Sequence, residues 1–244
     1  ATGAAGFELL VKGAVAQQTV PAAWLSTKAN PLPAGWNLSV DADGDLAYDS
    51  ANIQSTAVIL TDASGDQHSY QLADGGYTPP AGESGHLVRN ADGTLTLEDA
   101  DGRVYQFDAA GRLAAVTSPV DDKQPAAIQY EYSGSPAKLT AIKDGIDPAR
   151  RGTLYYSGQT ECGALPSGYV AAPAGMLCAF ITTDNRATYF YYDANGNLGR
   201  IATPGSTATS FAYDSLGRLT KQQSPLAFDA ISQGVRLNND SATS

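Results

Sequence analysis

The chain has 244 residues, a formal net charge of −10 and 25 glycines, and only 16% of its residues are charged. This length can bury a core in one large or two smaller domains. The negative balance argues against nucleic acid as a partner, because nucleic acid binding needs a basic face. No apolar run reaches the roughly 18 residues of a transmembrane helix, so we expect no membrane span.

Residues 1–30 differ from the rest of the chain: Phe7–Val11 is a strand-like run, and Gly13–Val15 with Gln17–Val20 suggests another. The later segment Val20–Leu25, Val-Pro-Ala-Ala-Trp-Leu, resembles the closing strand of PA14 modules, which are β-sandwich domains. The resemblance implies a remnant of such a module, although an ordinary edge strand with a linker explains the same residues. Asn30–Gly35 is a linker by composition. We therefore divide the chain into an N-terminal segment, 1–30, and a β region, 31–244.

Asp41, Asp43 and Asp45 are the best candidates for a cation site, because they alternate around Gly44. Calcium loops use oxygen ligands at alternating positions around a glycine. A loop of the EF-hand type would also need a later Glu ligand and flanking helices, which this segment lacks. A plain hairpin turn of Asp and Gly explains the same residues. A weak calcium site and a turn without metal both stay open.

The next stretch predicts a series of short strands separated by turn residues. Ala57–Thr61 has the composition of a buried strand, and Gln67–Leu72 returns after a turn that ends at Gly65. Asp74–Gly85 predicts a long irregular loop, since it contains two prolines and several glycines. Three more strands follow, separated by Asp-Gly turns: Leu87–Arg89, Thr94–Leu97 and Val104–Phe107.

The segment Thr188–Pro225 contains one pattern twice, at an offset of 21 residues. Each copy reads aromatic-x-Tyr-Asp-x-x-Gly-x-Leu. Alternating rings face one side of a strand, and Asp-x-x-Gly forms a turn because glycine tolerates the left-handed conformation. Each copy therefore predicts one β-hairpin. The signature residues are Phe190, Tyr192, Asp193 and Gly196 in one copy, and Phe211, Tyr213, Asp214 and Gly217 in the other.

A further copy lies upstream at Tyr105, Phe107, Asp108 and Gly111, and a degenerate one begins at Tyr130. The segment Tyr213–Thr220, Tyr-Asp-Ser-Leu-Gly-Arg-Leu-Thr, resembles the YD repeat of RHS-repeat proteins. These are large, usually secreted or surface-displayed bacterial chains, and animal teneurins share the module. The resemblance implies that the hairpins coil into a spiralling sheet, often a hollow shell that encloses a C-terminal toxin. It extends over the β region, 31–244.

The two cysteines, Cys162 and Cys178, bracket a loop rich in Gly and Pro. In a reducing compartment they would be two idle thiols, and a zinc site with the two histidines would lack a close pair of ligands. The exported setting that the resemblance implies favours a disulfide. Such a bond would stabilise the fold by about 3 kcal/mol on the chain-entropy model.

The sequence contains none of the common enzyme constellations: no Gly-x-Ser-x-Gly elbow, no Walker phosphate loop and no His-Glu-x-x-His helix. Ser84 and His86 are close in sequence, but their surroundings do not predict a nucleophile. The carboxylates mostly open turns, and a glycosidase pair would depend on their separation in space. We expect no enzymatic activity and no cofactor.

The repeat tyrosines allow two interpretations. Exposed rows of rings could stack on sugars, or the rings could fill cross-strand pairs between successive hairpins, which we favour. Arg112 and Arg218 follow turn glycines and are predicted to pair with turn carboxylates of neighbouring repeats.

The sequence thus predicts an all-β fold of consecutive antiparallel β-hairpins in a twisted, curled sheet or partial β-shell. The function we expect is a structural segment of a secreted or cell-surface RHS-repeat protein, with activity elsewhere in the parent chain. The alternative is a carbohydrate- or receptor-binding module that uses the loops 74–85 and 162–178. Expected partners are neighbouring YD repeats of the parent chain, or other copies that pair through sheet edges.

Overall fold

The computed structural model describes residues 8–13, 31–33, 36–41, 48–62, 65–117, 127–203, 205 and 208–224, with the backbone alone at 8–13 and 37–41. Over these ranges, no helix has the length and apolar character needed to cross a membrane.

The described residues form eighteen β-strands and one short 3-10 helix, Thr160–Cys162. The strands are β1 Glu8–Gly13, β2 Trp36–Asp41, β3 Tyr48–Ile53, β4 Ala57–Asp62, β5 Gln67–Ala73, β6 Gly76–Thr78, β7 His86–Arg89, β8 Leu95–Glu98, β9 Val104–Phe107, β10 Leu113–Thr117, β11 Ile128–Ser133, β12 Lys138–Lys143, β13 Arg151–Tyr156, β14 Leu177–Thr182, β15 Ala187–Tyr192, β16 Leu198–Ala202, β17 Ala208–Tyr213 and β18 Leu219–Gln223.

These strands form three sheets in which each strand pairs with its neighbour in sequence. β1 pairs with β2, β3 to β6 form a four-stranded sheet, and β7 to β18 form a twelve-stranded sheet with β7 and β18 at its two ends. Within β3 to β6, β7 to β12 and β13 to β18, neighbouring strands pair antiparallel. This confirms the predicted all-β fold of consecutive antiparallel hairpins.

The chain divides into two compact units. One is built on the described residues of Leu38–Arg151, and the other on those of Gly152–Ser244 together with Asn30–Asn37. In the second unit, part of the predicted linker is packed, since Leu32 is buried and the Leu177 amide donates to the Pro31 carbonyl. The predicted boundary between residues 30 and 31 stays a prediction.

The signature Asp-x-x-Gly forms the turn of each repeat hairpin. Asp193 Oδ1 accepts the backbone N–H groups of Asn195 and Asn197, both at 2.9 Å, and Gly196 has φ of +82°. Asp108 and Asp214 make the same pair of bonds. These turns are local, because every partner lies within four residues of the Asp.

Each of the repeat hairpins contains one β-bulge at the start of its return strand. In the β15–β16 hairpin, Tyr192 pairs with Leu198 while Tyr191 pairs with Arg200, so Gly199 is an extra residue without a cross-strand partner in the ladder. Five hairpins share this arrangement, and in each the extra residue follows a leucine. The extra residues are Ala114, Thr140, Cys178, Gly199 and Thr220.

The core of each unit is built from the alternating rings of the repeat strands and the leucines that face them. Tyr105 and Phe107 are buried in the first unit, and Phe190 and Tyr192 in the second. Burying a ring of this size stabilises a fold by about 2 kcal/mol. These rings therefore lie in the interior, where Phe190 pairs with Ile201 and Tyr192 with Leu198 of the same hairpin.

The predicted irregular loop Asp74–Gly85 is partly wrong, because it begins with a strand. Asp74 and Gly75 make a two-residue turn, and β6 then pairs back onto β5 through Ala73 and Gly76. Gly75 has φ of +98°, a conformation that glycine adopts without steric cost in a tight reversal. The irregular segment that remains is 79–85.

Candidate functional site

The contact between successive repeats recurs in three hairpins. In three hairpins the tyrosine that precedes the turn donates its hydroxyl hydrogen to a backbone carbonyl of the preceding strand. Tyr192 donates to the Leu177 carbonyl at 2.7 Å, and Tyr213 donates to the Leu198 carbonyl at 2.8 Å. Tyr132 makes the equivalent bond of 3.0 Å in the other unit. We call these bonds the tyrosine ladder.

The acceptor in each of these bonds is the carbonyl of the leucine just before a bulge residue. Leu198, for example, precedes Gly199, and Leu177 precedes Cys178. A bulge disrupts the regular ladder locally, so carbonyl groups near it can accept bonds from outside the hairpin. The bulge of one hairpin therefore supplies the acceptor for the tyrosine of the next hairpin.

Burial keeps the hydroxyls of the tyrosine ladder in the form that donates. Burial, and then the charge of Asp193, raise the pKa of Tyr213 to about 12, although the hydrogen bond from Trp36 opposes the shift. Burial also raises the pKa of Tyr192. Both residues are therefore neutral at physiological pH. Trp36 packs against β17 in the second unit: its Nε1 donates to the Tyr213 hydroxyl at 2.9 Å, and its ring contacts the Phe211 ring edge-on.

The arginines that follow the turn glycines pair within their own repeats, which corrects the sequence prediction. Arg112 Nε lies 2.6 Å from Asp108 Oδ2, and an Arg218 nitrogen lies 2.7 Å from Asp214 Oδ2. The turn places each arginine four residues after its aspartate, so the two side chains meet across the turn. These ion pairs lie within single hairpins, and the Arg112 guanidinium also lies 5.2 Å from the ring centre of Tyr132 in the following hairpin.

In the second unit, the loop between β13 and β14 covers the face of the sheet opposite to the Phe190 and Tyr192 side chains. The Val170 amide donates to the Tyr192 carbonyl at 2.8 Å, and Ser157 Oγ donates to the Ala172 carbonyl at 2.6 Å. A disulfide joins Cys162 to Cys178. This agrees with the expected pairing, and it leaves no free thiolate for a zinc site.

Tyr169 of this loop packs with Tyr191 and Tyr189 of β15, and we call these three residues the outer tyrosine cluster. The rings of Tyr189 and Tyr191 stack with centroids 6.1 Å apart, and Tyr169 lies 6.1 Å from Tyr191. The Arg200 guanidinium lies 6.0 Å from the centre of the Tyr169 ring. Tyr191 is buried, whereas Tyr169 and Tyr189 are half-buried. Packing of the loop covers most of the surface of these residues, and Tyr169 and Tyr189 keep part of theirs exposed.

A second cluster, in the first unit, joins a histidine to two carboxylates. His68 Nδ1 lies 2.5 Å from Glu83 Oε1, and His68 Nε2 lies 3.4 Å from Asp62 Oδ2. The hydroxyls of Tyr48 and Tyr70 both donate to Glu83 Oε2, at 3.3 and 3.4 Å. We call these residues the histidine cluster. Sequence reasoning missed it, and the only local signal is the alternation of His68 and Tyr70 on β5.

The histidine cluster does not have the geometry of a metal site. The two carboxylates lie against opposite nitrogens of one ring, so a single ion cannot contact all three groups. The described residues contain no group of three or more ligands that could bind a metal. Of the calcium candidates, Asp43 and Asp45 lie outside the described residues, as does the PA14-like segment Val20–Leu25, and Asp41 is described only as the last residue of β2.

One known family matches the repeats of this chain. Two stretches of the chain, residues 89–122 and 192–227, match the RHS repeat family. No curated protein matches the chain. Among solved structures 31 chains match. One, from the crystal structure of TcdB2-TccC3-TEV, is 19% identical over 72% of this chain, with a TM-score of 0.37, and the match covers 9% of that chain.

Proposed function

This chain is an RHS-repeat protein, and we propose that it is a structural segment of a longer exported chain whose activity resides elsewhere. The tyrosine ladder carries this proposal, because it uses the signature tyrosines to join one hairpin to the next. Repeat arrays are stabilised mainly through such nearest-neighbour contacts. The proposal assigns the signature residues to assembly of the sheet and gives none of them a catalytic role.

The disulfide supports the exported setting. Disulfides persist mainly in oxidising compartments, and both cysteines of this chain are paired. The partners we propose are further YD repeats, which would pair with a terminal strand such as β18, whether they belong to the parent chain or to a second copy. A strictly monomeric chain in light scattering at high concentration would contradict pairing between copies.

Replacing Tyr192 with Phe tests the role of the tyrosine ladder. We expect the free energy of unfolding to fall by about 2 kcal/mol, because the change removes one hydrogen bond and leaves the buried Leu177 carbonyl without its donor. Unfolding in urea, followed by circular dichroism, measures the loss.

Tyr189→Phe is the matched control, since Tyr189 lies in the same strand and its hydroxyl makes no hydrogen bond within the described ranges. We expect a change within about 0.5 kcal/mol there. Equal effects of the two substitutions would show that the ladder bond does not join the repeats, and would remove the main support for the structural proposal.

The second candidate function is carbohydrate binding, which the partly open rings of Tyr169 and Tyr189 favour. Binding on a glycan array that is lost in Tyr189→Ala, but kept in Tyr189→Phe, would favour this function over the structural one. The phenylalanine variant retains the ring face on which a sugar would stack. Absence of binding by the unmodified chain would support the structural proposal.

A further inference from the structure

One side chain, Glu83, fastens the irregular segment 79–85 to the four-stranded sheet. Both of its carboxylate oxygens are used. Oε1 contacts His68 on β5, and Oε2 accepts hydrogen bonds from Tyr48 on β3 and Tyr70 on β5. The segment connects β6 to β7, so Glu83 holds the connection between the four-stranded sheet and the first strand of the next sheet against β3 and β5.

The segment fits closely against the sheet at its last residue. A Cβ atom at Gly85 would lie 2.5 Å from the Tyr70 hydroxyl, which is too close for any side chain at position 85 without a shift. The absence of a side chain there lets the backbone approach Tyr70. This close approach brings Glu83 within reach of both tyrosines and of His68.

The charge of His68 decides whether this arrangement is favourable. A histidine can donate from both ring nitrogens only when it is protonated, and each nitrogen here faces a carboxylate. A neutral ring would turn a lone pair toward Glu83 or Asp62. Tyr48 also faces the ring, edge-on at 5.3 Å, and Tyr70 donates to the same Glu83 oxygen as Tyr48. Neither can replace the lost proton donor, because both already donate to Glu83.

We propose that Asp62, His68 and Glu83 form a pH-sensitive clasp, which fastens the segment 79–85 when His68 is protonated and loosens it when His68 loses its proton. The His68 side chain is 23% exposed, so it can exchange its proton with solvent. The clasp is separate from the tyrosine ladder and does not depend on the proposed structural function.

The direction of the pH dependence follows from the surroundings of His68. Partial burial alone lowers the pKa of His68, but the hydrogen bonds and charges of Glu83 and Asp62 outweigh it and raise the pKa above its ordinary value. A group whose folded-state pKa is raised stabilises the folded state fully below the unfolded pKa of about 6.5. That stabilisation is lost as the pH rises through the folded-state pKa. The clasp is therefore closed in mildly acidic solution and opens toward alkaline pH.

NMR titration of the full chain from about pH 6 to about pH 9 tests the clasp. We expect the amide signals of residues 83–85 to titrate with the same midpoint as the His68 ring, and their order parameters to fall as that midpoint is passed. In His68→Asn we expect low order parameters at every pH. His86→Asn is the matched control, because His86 is the other histidine of the chain and is exposed; it should behave as the unmodified protein does.

Glu83→Gln provides a second test that does not remove the histidine. The amide keeps the size of the side chain but carries no charge, so the midpoint of the His68 titration should move to lower pH. Order parameters of 83–85 that stay constant while His68 titrates would overturn the clasp. So would a His68 midpoint that is unchanged in Glu83→Gln.

Discussion

Replacing Gly111 with Ala will lower the free energy of unfolding by about 3 kcal/mol or more, because two unfavourable effects add at this position. Gly111 has φ of +78°, a conformation that costs an alanine about 1 kcal/mol or more. In addition, a Cβ atom there would lie 1.8 Å from the Ala51 carbonyl oxygen. The carbonyl cannot easily retreat, since the Ala51 amide donates to the Gly111 carbonyl at 2.8 Å.

Gly217→Ala separates the two effects. Gly217 occupies the same position in the last repeat and has nearly the same φ, +76°, but the nearest atom to its added Cβ would be 4.0 Å away. We therefore expect a loss of only about 1 kcal/mol from backbone strain. Urea unfolding of both variants measures the difference. Equal losses would mean that the contact between β3 and the turn before β10 does not constrain Gly111.

Removing the disulfide, in the double variant Cys162→Ala and Cys178→Ala, will lower the free energy of unfolding by about 3 kcal/mol. The two residues are 16 apart in sequence, and the bond restricts the unfolded chain more than the folded one. In the folded state the same loop is also attached through Val170 and Ser157. We therefore expect the loop to stay in place while the equilibrium shifts toward the unfolded chain.

Urea unfolding with and without reductant measures the effect of the disulfide. The unmodified protein should lose stability when reduced, whereas the double variant should not respond to reductant. The tyrosine bands in the near-ultraviolet circular dichroism of the folded double variant should match those of the unmodified protein, because the outer tyrosine cluster remains packed. A reduced protein that unfolds at the same urea concentration as the oxidised protein would contradict the expected stabilisation.

The repeat hairpins could be predicted because their signals are local. Asp193 and Gly196 form a turn through partners within four residues, and the alternation of Phe190 and Tyr192 needs only the geometry of one strand. The sheet order followed from the same rule, since each hairpin pairs with the next. The local sequence pattern of each turn and strand was therefore enough to predict the consecutive hairpins.

The bonds that join the repeats could not be predicted in the same way. The acceptor of Tyr192 is the Leu177 carbonyl, 15 residues earlier. This carbonyl is available because of a bulge at Cys178, and the residue type at the bulge position varies from hairpin to hairpin. The predicted partner of Arg218, a carboxylate of a neighbouring repeat, was wrong for a related reason. The sequence pattern shows that a carboxylate is near, but the twist of the turn decides that it is the aspartate of the same hairpin.

The histidine cluster was missed because its members come from separate elements. Asp62 and His68 lie on neighbouring strands, but Glu83 arrives from an irregular segment whose path depends on the close approach of Gly85 to Tyr70. Sequence reasoning compared Ser84 with His86, which are near in the chain. The contact that forms joins residues 15 positions apart.

The bulge residues show how such an array can acquire individual appendages. An extra residue has no partner across the hairpin, so its identity can change without altering the register of any strand. Two of these positions, Cys178 and Gly199, attach the loop between β13 and β14: one through the disulfide, and the other because a Cβ there would lie 2.9 Å from the Tyr169 ring. A repeat can thus accept a foreign loop while it remains interchangeable with its neighbours.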